Sequence, residues 1–303
     1  MHDLPSPALP QLKSRAKESH KGSFGSALLI GGSRGMAGSI ALSGLAAART
    51  GAGLVRLAIP DRCLETVASF SPCTMTIPLT NSSAGQITAS IEELTAHLEA
   101  ANCIGIGPGM GRSPELQQLV QDVLRTVQCP VVVDADALNN LGAISNWREL
   151  LSEKVVLTPH PGEWSRLSGI PAADREAQVA AAIEHAKQSG ATIVLKGYRT
   201  LVTNGVEAAF NSTGTPAMAT GGSGDVLTGI ITALICQGLS PLEAAHLGVT
   251  VHGLSGELAE RALSTRVVLP PELIQYLPLA LGAHAEQRSS RGIGFQATSE
   301  PVG

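Results

Sequence analysis

Residues 219–238, ATGGSGDVLTGIITALICQG, carry the densest chemistry in the sequence. Glycines 221, 222 and 224 leave the backbone free to approach a ligand, and they run directly into a helical pattern. A helix start offers unpaired N–H groups and a partial positive charge, which suits a phosphate. Gly222, Ser223 and Gly224 are therefore candidate anion-hole donors, and Asp225 follows them directly. A carboxylate is a poor anion binder, but beside a bound phosphoryl group it suits a general base. The same spacing also fits an N-capping Asp after a glycine turn. Thr228 and Gly229 would let the helix pack closely against a neighbour.

Five other stretches could contribute groups. Residues 105–115, GIGPGMGRSPE, read as strand, glycine loop and helix, but the spacing fits neither GxGxxG nor a P-loop. A tight turn explains it equally. In VVVDADALNNL, 131–141, Asp134 and Asp136 lie just past a strand end, where open α/β sheets place ligand groups. Metal or polar substrate binding and a helix cap at Asp136 both fit. In VVLTPHPGEWSRL, 155–167, His160 stands between two prolines on a stiff backbone. Glu163 could hold Mg²⁺ through water, or simply complement a helix dipole. In VLKGYRT, 194–200, Lys196 at a strand end could meet a phosphate or be merely solvated. The loop GGSRGMAG, 31–38, could wrap a ligand or serve only close helix–sheet packing.

The elements that must position these residues follow from periodicity. Apolar runs predict strands at 26–31, 54–59, 103–107, 130–134, 155–158 and 192–196. Helical patterns fill 36–50, 91–100, 114–127 with Ser113 as cap, 172–189, 225–237 and 241–263. Leu201 to Phe210 reads as a hairpin around Asn204-Gly205. Alternating strands and helices predict an α/β fold: a central, mostly parallel sheet with helices on both faces. Residues 1–22 read as a mobile arm or edge element, 23–281 as one domain, and 282–303 as a disordered tail.

Composition narrows the function classes. Of 303 residues, 44% are apolar and 15% charged, so the chain can fold around a sizeable core. Aromatics are only 3% and the net charge is −4, which argues against nucleic acid as a partner. No run is long and apolar enough to span a bilayer, so no membrane role is expected. Five cysteines without a CxxC, and a polar start without an apolar signal core, predict reduced thiols in a cytoplasmic protein.

Taken in order, KGSFG…GGSRGMAGS, IGIGPGMG, VVVDADALN, LTPHPGE, VLKGYRT and GGSGDVLTGIITALICQG resemble the ADP-dependent NAD(P)H-hydrate dehydratase family over roughly residues 20–280. That resemblance implies a ribokinase-like fold in a stand-alone form, since the first block begins at Lys21 and leaves no room ahead of it for an epimerase domain. It implies repair of the S epimer of hydrated NADH or NADPH, with ADP as co-substrate and AMP and phosphate as products. Asp225 would be the base, with the anion hole at Gly222, Ser223 and Gly224. Lys196, Gly197, Tyr198, Arg199 and Thr200 would line the nucleotide, ADP or ATP. Ala37, Gly109, His160 and Asp225 would contact the hydrate. Glu163 would organise Mg²⁺, although His160 stands where related kinases carry Asn. Thr215 and Ala217 depart from the more usual GNPGM wording before the anion hole. A separate epimerase as functional partner and a homo-oligomer, commonly a tetramer, are further implications. The alternatives are a small-molecule kinase of the same superfamily, of the hydroxymethylpyrimidine or hydroxyethylthiazole type, and a nucleotide sensor without catalysis.

Overall fold

The computed structural model describes residues 4–292. Nine strands form one sheet: β1 (Ser26–Ile30), β2 (Leu54–Pro60), β3 (Met75–Leu79), β4 (Cys103–Ile106), β5 (Val131–Val133), β6 (Val155–Leu157), β7 (Thr192–Leu195), β8 (Leu201–Thr203) and β9 (Ala208–Phe210). Their order is β3-β2-β1-β4-β5-β6-β7-β8-β9. β3 through β7 are parallel, and the hairpin adds β8 and β9 antiparallel at one edge.

Period-2 alternation divides the apolar side chains between two cores. Ala27, Leu29, Val55, Leu57, Val132, Val156 and Val194 face one side. There they meet α1 (Ala37–Thr50), α2 (Leu64–Phe70), α8 (Ser223–Cys236), α9 (Pro241–Leu263) and α10 (Pro270–Gly292). Leu28, Ile30, Ile104, Val131, Val133 and Ile193 face the other. That side is covered by α3 (Ile91–Glu99), α4 (Pro114–Thr126), α5 (Ala135–Leu141), α6 (Pro161–Ser168) and α7 (Arg175–Ser189).

Several boundaries differ from the sequence expectations for local reasons. α7 begins at Arg175 because the Asp174 carboxylate accepts the Ala177 N–H at 3.0 Å. α8 starts two residues early, at Ser223, with left-handed Gly222 as its N-cap at φ 93°. Asp225 is thus inside the first turn and caps nothing. Asp134, not Asp136, takes the N-cap position of α5. The short elements β3, α2, α5 and α6, and the final helix α10, had no clear periodic signal.

The C-terminal boundary requires correction, and the N-terminal arm contacts the sheet edge. The arm is tied down from residue 4 on: Pro5 accepts the Ala208 N–H at β9, and the Arg15 guanidinium donates to the Gly51 carbonyl at 2.6 Å. The tail expected to be disordered from 282 continues as α10 to Gly292. Residues 293–303 lie outside the described residues.

Sheet topology decides where a ligand can enter. β1 neighbours β2 on one side and β4 on the other, so the chain's direction of progress reverses at the β1/β4 boundary. The loops leaving adjacent strands there diverge to opposite faces and open a crevice at the strands' carboxyl ends.

Candidate active site

The two loops flanking that crevice are bolted together. The Gly32 N–H donates to the Pro108 carbonyl at 2.8 Å, and the Ser33 hydroxyl donates to the Gly109 carbonyl at 2.8 Å. Gly109 has φ 64°, and a side chain on it would come within 2.6 Å of the Met36 carbonyl. Only glycine lets the β4 loop lie this close to the start of α1. Gly109 therefore lies against Met36 and Ser39, which bracket Ala37 in the chain, at the mouth of the crevice.

Its floor comes from three adjacent parallel strands. Asp134, Thr158 and Lys196 directly follow the last residues of β5, β6 and β7, so ordinary strand spacing places these side chains together. Lys196 Nζ is 2.8 Å from Asp134 Oδ1. The hydroxyls of Thr158 and Thr228 donate to the two oxygens of Asp134, each at 2.7 Å. Burial alone would raise the Asp134 pKa, but the Lys196 charge and these three hydrogen bonds hold it below the usual carboxylate range. Burial would likewise lower Lys196, and Asp134 and Glu163 more than offset it, so the ammonium is secured. A Cβ on Gly224 would stand 3.3 Å from Lys196 Nζ. The cation thus lies against the first turn of α8, where a helix start leaves N–H groups without intrahelical partners, although the Ser223 N–H donates to the Thr220 carbonyl at 3.4 Å.

Asp225 projects from that turn. Its carboxylate accepts a hydrogen bond from the Ser39 side chain, and its backbone carbonyl accepts the Ser43 hydroxyl at 2.8 Å. α1 therefore grips both ends of the residue. Burial and, after it, the charge of Asp134 raise the Asp225 pKa to about 6, against Ser39 and Lys196. A carboxylate poised there can accept a proton near neutral pH.

His160 and Glu163 lie on the same side and have defined local roles. His160 N-caps α6: its Nδ1 accepts the N–H groups of Gly162 and Glu163 at 3.0 and 3.2 Å. Glu163 returns the contact by accepting the His160 N–H at 2.8 Å, a capping box made with histidine. Since Nδ1 accepts, the neutral ring carries its proton on Nε2, and the imidazole is a donor rather than a base. Burial also lowers its pKa. Burial raises Glu163 to about 7, although Lys196 Nζ is 3.9 Å away and opposes this. Among the described residues, no group of three His, Cys, Asp or Glu side chains could hold a metal. Lys196 fills the space between Asp134 and Glu163 that a cation would need. Asp136 is spent on the loop, accepting the Gly111 N–H at 2.9 Å.

The block 196–200 is split. Lys196 faces the crevice floor, and Gly197 turns the chain with φ 135°. Tyr198 is 93% exposed, and with Arg199, Arg175 and Phe210 it lines a separate groove of about 570 Å³ beside α7. Thr200 donates to the Gly197 carbonyl at 3.0 Å and closes the turn. Arg175 holds the block from behind, donating to the carbonyls of Leu195, Lys196 and Arg199. Thr215, where the more usual wording has Asn, accepts the Ala217 N–H at 3.2 Å and caps the turn before the anion hole. Sequence reasoning missed Ser39, Ser43, Thr158 and Arg175. Only Ser39 and Ser43 left a trace, as hydroxyls four apart on a small-residue helix.

Comparison with known proteins decides the family. Residues 27–279 match the family described as NAD(P)H-hydrate dehydratase (Carb_kinase). The chain belongs to this family. The bifunctional NAD(P)H-hydrate repair enzyme Nnr of Moorella thermoacetica is 41% identical over 277 residues, covering 89% of this chain and 52% of that protein. The chain thus spans about half the length of the curated relatives it matches. Among solved structures, an ADP/ATP-dependent NAD(P)H-hydrate dehydratase from Bacillus subtilis, co-crystallised with ATP and Mg²⁺, aligns at TM-score 0.77. It is 30% identical and covers 93% of this chain and 99% of that one. A ribokinase-like superfamily protein from Enterococcus faecalis, 32% identical, also aligns at TM-score 0.77, over 90% of this chain and 92% of that one. The family's fold is therefore ribokinase-like, as the motif order implied.

Proposed function

We propose that this member of the NAD(P)H-hydrate dehydratase family acts as a hydro-lyase on the S epimer of hydrated NADH or NADPH, with ADP as co-substrate. The observation that carries this reading is the convergence, in one crevice, of an open helix N-terminus, a carboxyl raised to about 6 and a secured ammonium. Hydroxide leaves a ring carbon poorly, whereas phosphate leaves well. Asp225 takes the proton of the C6 hydroxyl as its oxygen attacks the terminal phosphorus of ADP, and the bond to AMP breaks. The N–H groups of Gly222, Ser223 and Gly224, with Lys196 beside them, would hold the transferred phosphoryl group. The ring nitrogen's lone pair then expels phosphate, and loss of a proton from C5 restores the double bond. The net change is hydrate plus ADP to reduced cofactor, AMP and phosphate.

His160, fixed as an Nε2–H donor, would orient the hydrate together with Ala37 and Gly109. Gly197, Tyr198, Arg199 and Thr200 would flank the nucleotide. Mg²⁺ would arrive on the nucleotide phosphates and neutralise their charge. Glu163, half-neutral and facing Lys196, could reach it only through water. A separate epimerase would supply the S form, consistent with the bifunctional relatives. The cytoplasm and a homo-oligomer, a tetramer as the resemblance implies, are the expected setting.

The test mixes purified protein with S-hydrate, Mg²⁺ and either ADP or ATP and follows the return of reduced-cofactor absorbance. Recovery that needs both hydrate and nucleotide supports the reading and names the donor. An intact hydrate beside an active control enzyme would overturn it. A phosphorylated product that persisted would mark a kinase instead.

A further inference from the structure

Ser223 opens α8, and its hydroxyl has a partner that no step above uses. His252, in the middle of α9, brings Nε2 to within 3.3 Å of Ser223 Oγ. α9 is fixed at this point from outside. A side chain at Gly253 would overlap Thr213, whose hydroxyl donates to the Thr250 carbonyl at 2.9 Å. The Ser255 hydroxyl donates to the carbonyl of His252 itself at 2.7 Å. The backbone carrying the imidazole is therefore held on both sides of the ring.

Burial pushes the His252 pKa down to about 4, the Ser223 backbone partly opposes this, and the nearby Lys196 ammonium adds to it. The ring is neutral at physiological pH. Between Nε2 and Ser223 Oγ the ring can donate or accept, according to its tautomer. A serine hydroxyl has one proton and two lone pairs. Where the imidazole supplies the proton between Nε2 and Oγ, the hydroxyl keeps its own proton free, at the positive end of α8.

We propose that His252 is a positioning residue that aims the Ser223 hydroxyl as a further donor at the phosphoryl group held by the α8 N-terminus. This rests on the functional reading above. A donor fixed before reaction needs no reorganisation when charge builds up on the transferred group. The chain thereby adds a side-chain donor to the backbone N–H groups, and a residue from a second helix enforces it.

Four variants test the assignment: Ser223→Ala, His252→Phe, the double substitution, and His252→Gln, whose amide can still donate. Each is assayed for kcat, for KM of the hydrate and for thermal midpoint. Loss of one oriented donor predicts a fall in kcat of at least about tenfold in each single variant, with KM of the hydrate little changed. The double variant should fall no further than the singles, because both remove one donor. His252→Gln should recover most of the loss. Wild-type kcat in Ser223→Ala, or losses that multiply in the double variant, would overturn the proposal. Should His252→Phe fail to fold, His252→Gln and its pair with Ser223→Ala carry the same comparison: the pair must match Ser223→Ala alone, and a further loss overturns the proposal. Absence of wild-type turnover would sink the functional reading separately. Calorimetric binding of ADP then decides: equal weakening in Ser223→Ala, His252→Phe and the double variant upholds the assignment, and unchanged binding ends it.

Discussion

Asp225 and Glu163 are two buried carboxyls with raised pKa values, and their consequences differ. Asp225 is asked to take a proton, so Asp225→Asn should cut turnover by about 10²–10⁴-fold. ADP should still bind that variant, because the N–H groups and Lys196 remain. With its pKa at about 6, kcat/KM in the native enzyme should fall as pH drops below about 6, and Asp225→Asn should lack that limb. Glu163 predicts a stability effect instead. Its folded pKa of about 7 exceeds the ordinary 4.5. Its contribution to stability is therefore complete below about 4.5 and is lost as pH rises through about 7. Glu163→Gln cannot titrate. Between about pH 5 and pH 8 it should gain on the native protein by on the order of 2 kcal/mol in urea unfolding. A difference that shrank with rising pH would contradict this. Lys196 is different again, since Asp134 is 1% exposed and depends on its charge. Lys196→Met should cost about 3–5 kcal/mol by stranding that carboxylate, visible as a lowered urea midpoint.

At the scale of elements, the pairing of α1 with α8 sets the geometry of Asp225. Gly229 makes that pairing possible: a Cβ there would overlap the Ser43 carbonyl and crowd Ala46. Ser43 is also the donor to the Asp225 carbonyl. Gly229→Ala should thus separate the helices and cost about 1–3 kcal/mol of stability. It should also lower kcat more than the stability loss explains, because Ser39 and Ser43 move away from Asp225. Full activity at a lowered melting temperature would show that the two helices do not set the base. The capping box of α6 works in the same manner on a smaller scale, turning His160 into a donor of fixed tautomer.

For the whole molecule, the crevice exists because the sheet changes its direction of growth between β1 and β4. The helices that carry the base, its grip and the Ser223 partner all lie on one face, and α10 seals that face. Leu273 and Leu277 on α10 are fully buried against it. Leu277→Ala should cost about 2–5 kcal/mol, read as a lowered melting temperature. Retention of native stability would mean that the C-terminal helix is an appendage rather than part of this core. No helix among the described residues is long and apolar enough to cross a membrane.

The parallel α/β architecture was legible in the sequence, because its strands are continuous apolar runs and its long helices are capped by Ser113, Gly190 and Ser240. The hairpin was legible in Asn204-Gly205, and the anion hole in the glycines before Asp225, since backbone freedom leaves a mark in residue type. The short elements β3, α5 and α6 were not, because a few residues cannot establish a period. Nor did α10 announce itself. Tertiary structure alone decided that Asp134 belongs to Lys196, Thr158 and Thr228, which come from three other segments. It decided that His160 donates, and that a histidine of α9 reaches Ser223. Local propensity depends on neighbours along the chain, whereas charge, burial and tautomer depend on neighbours in space, and these the sheet order and helix packing supply.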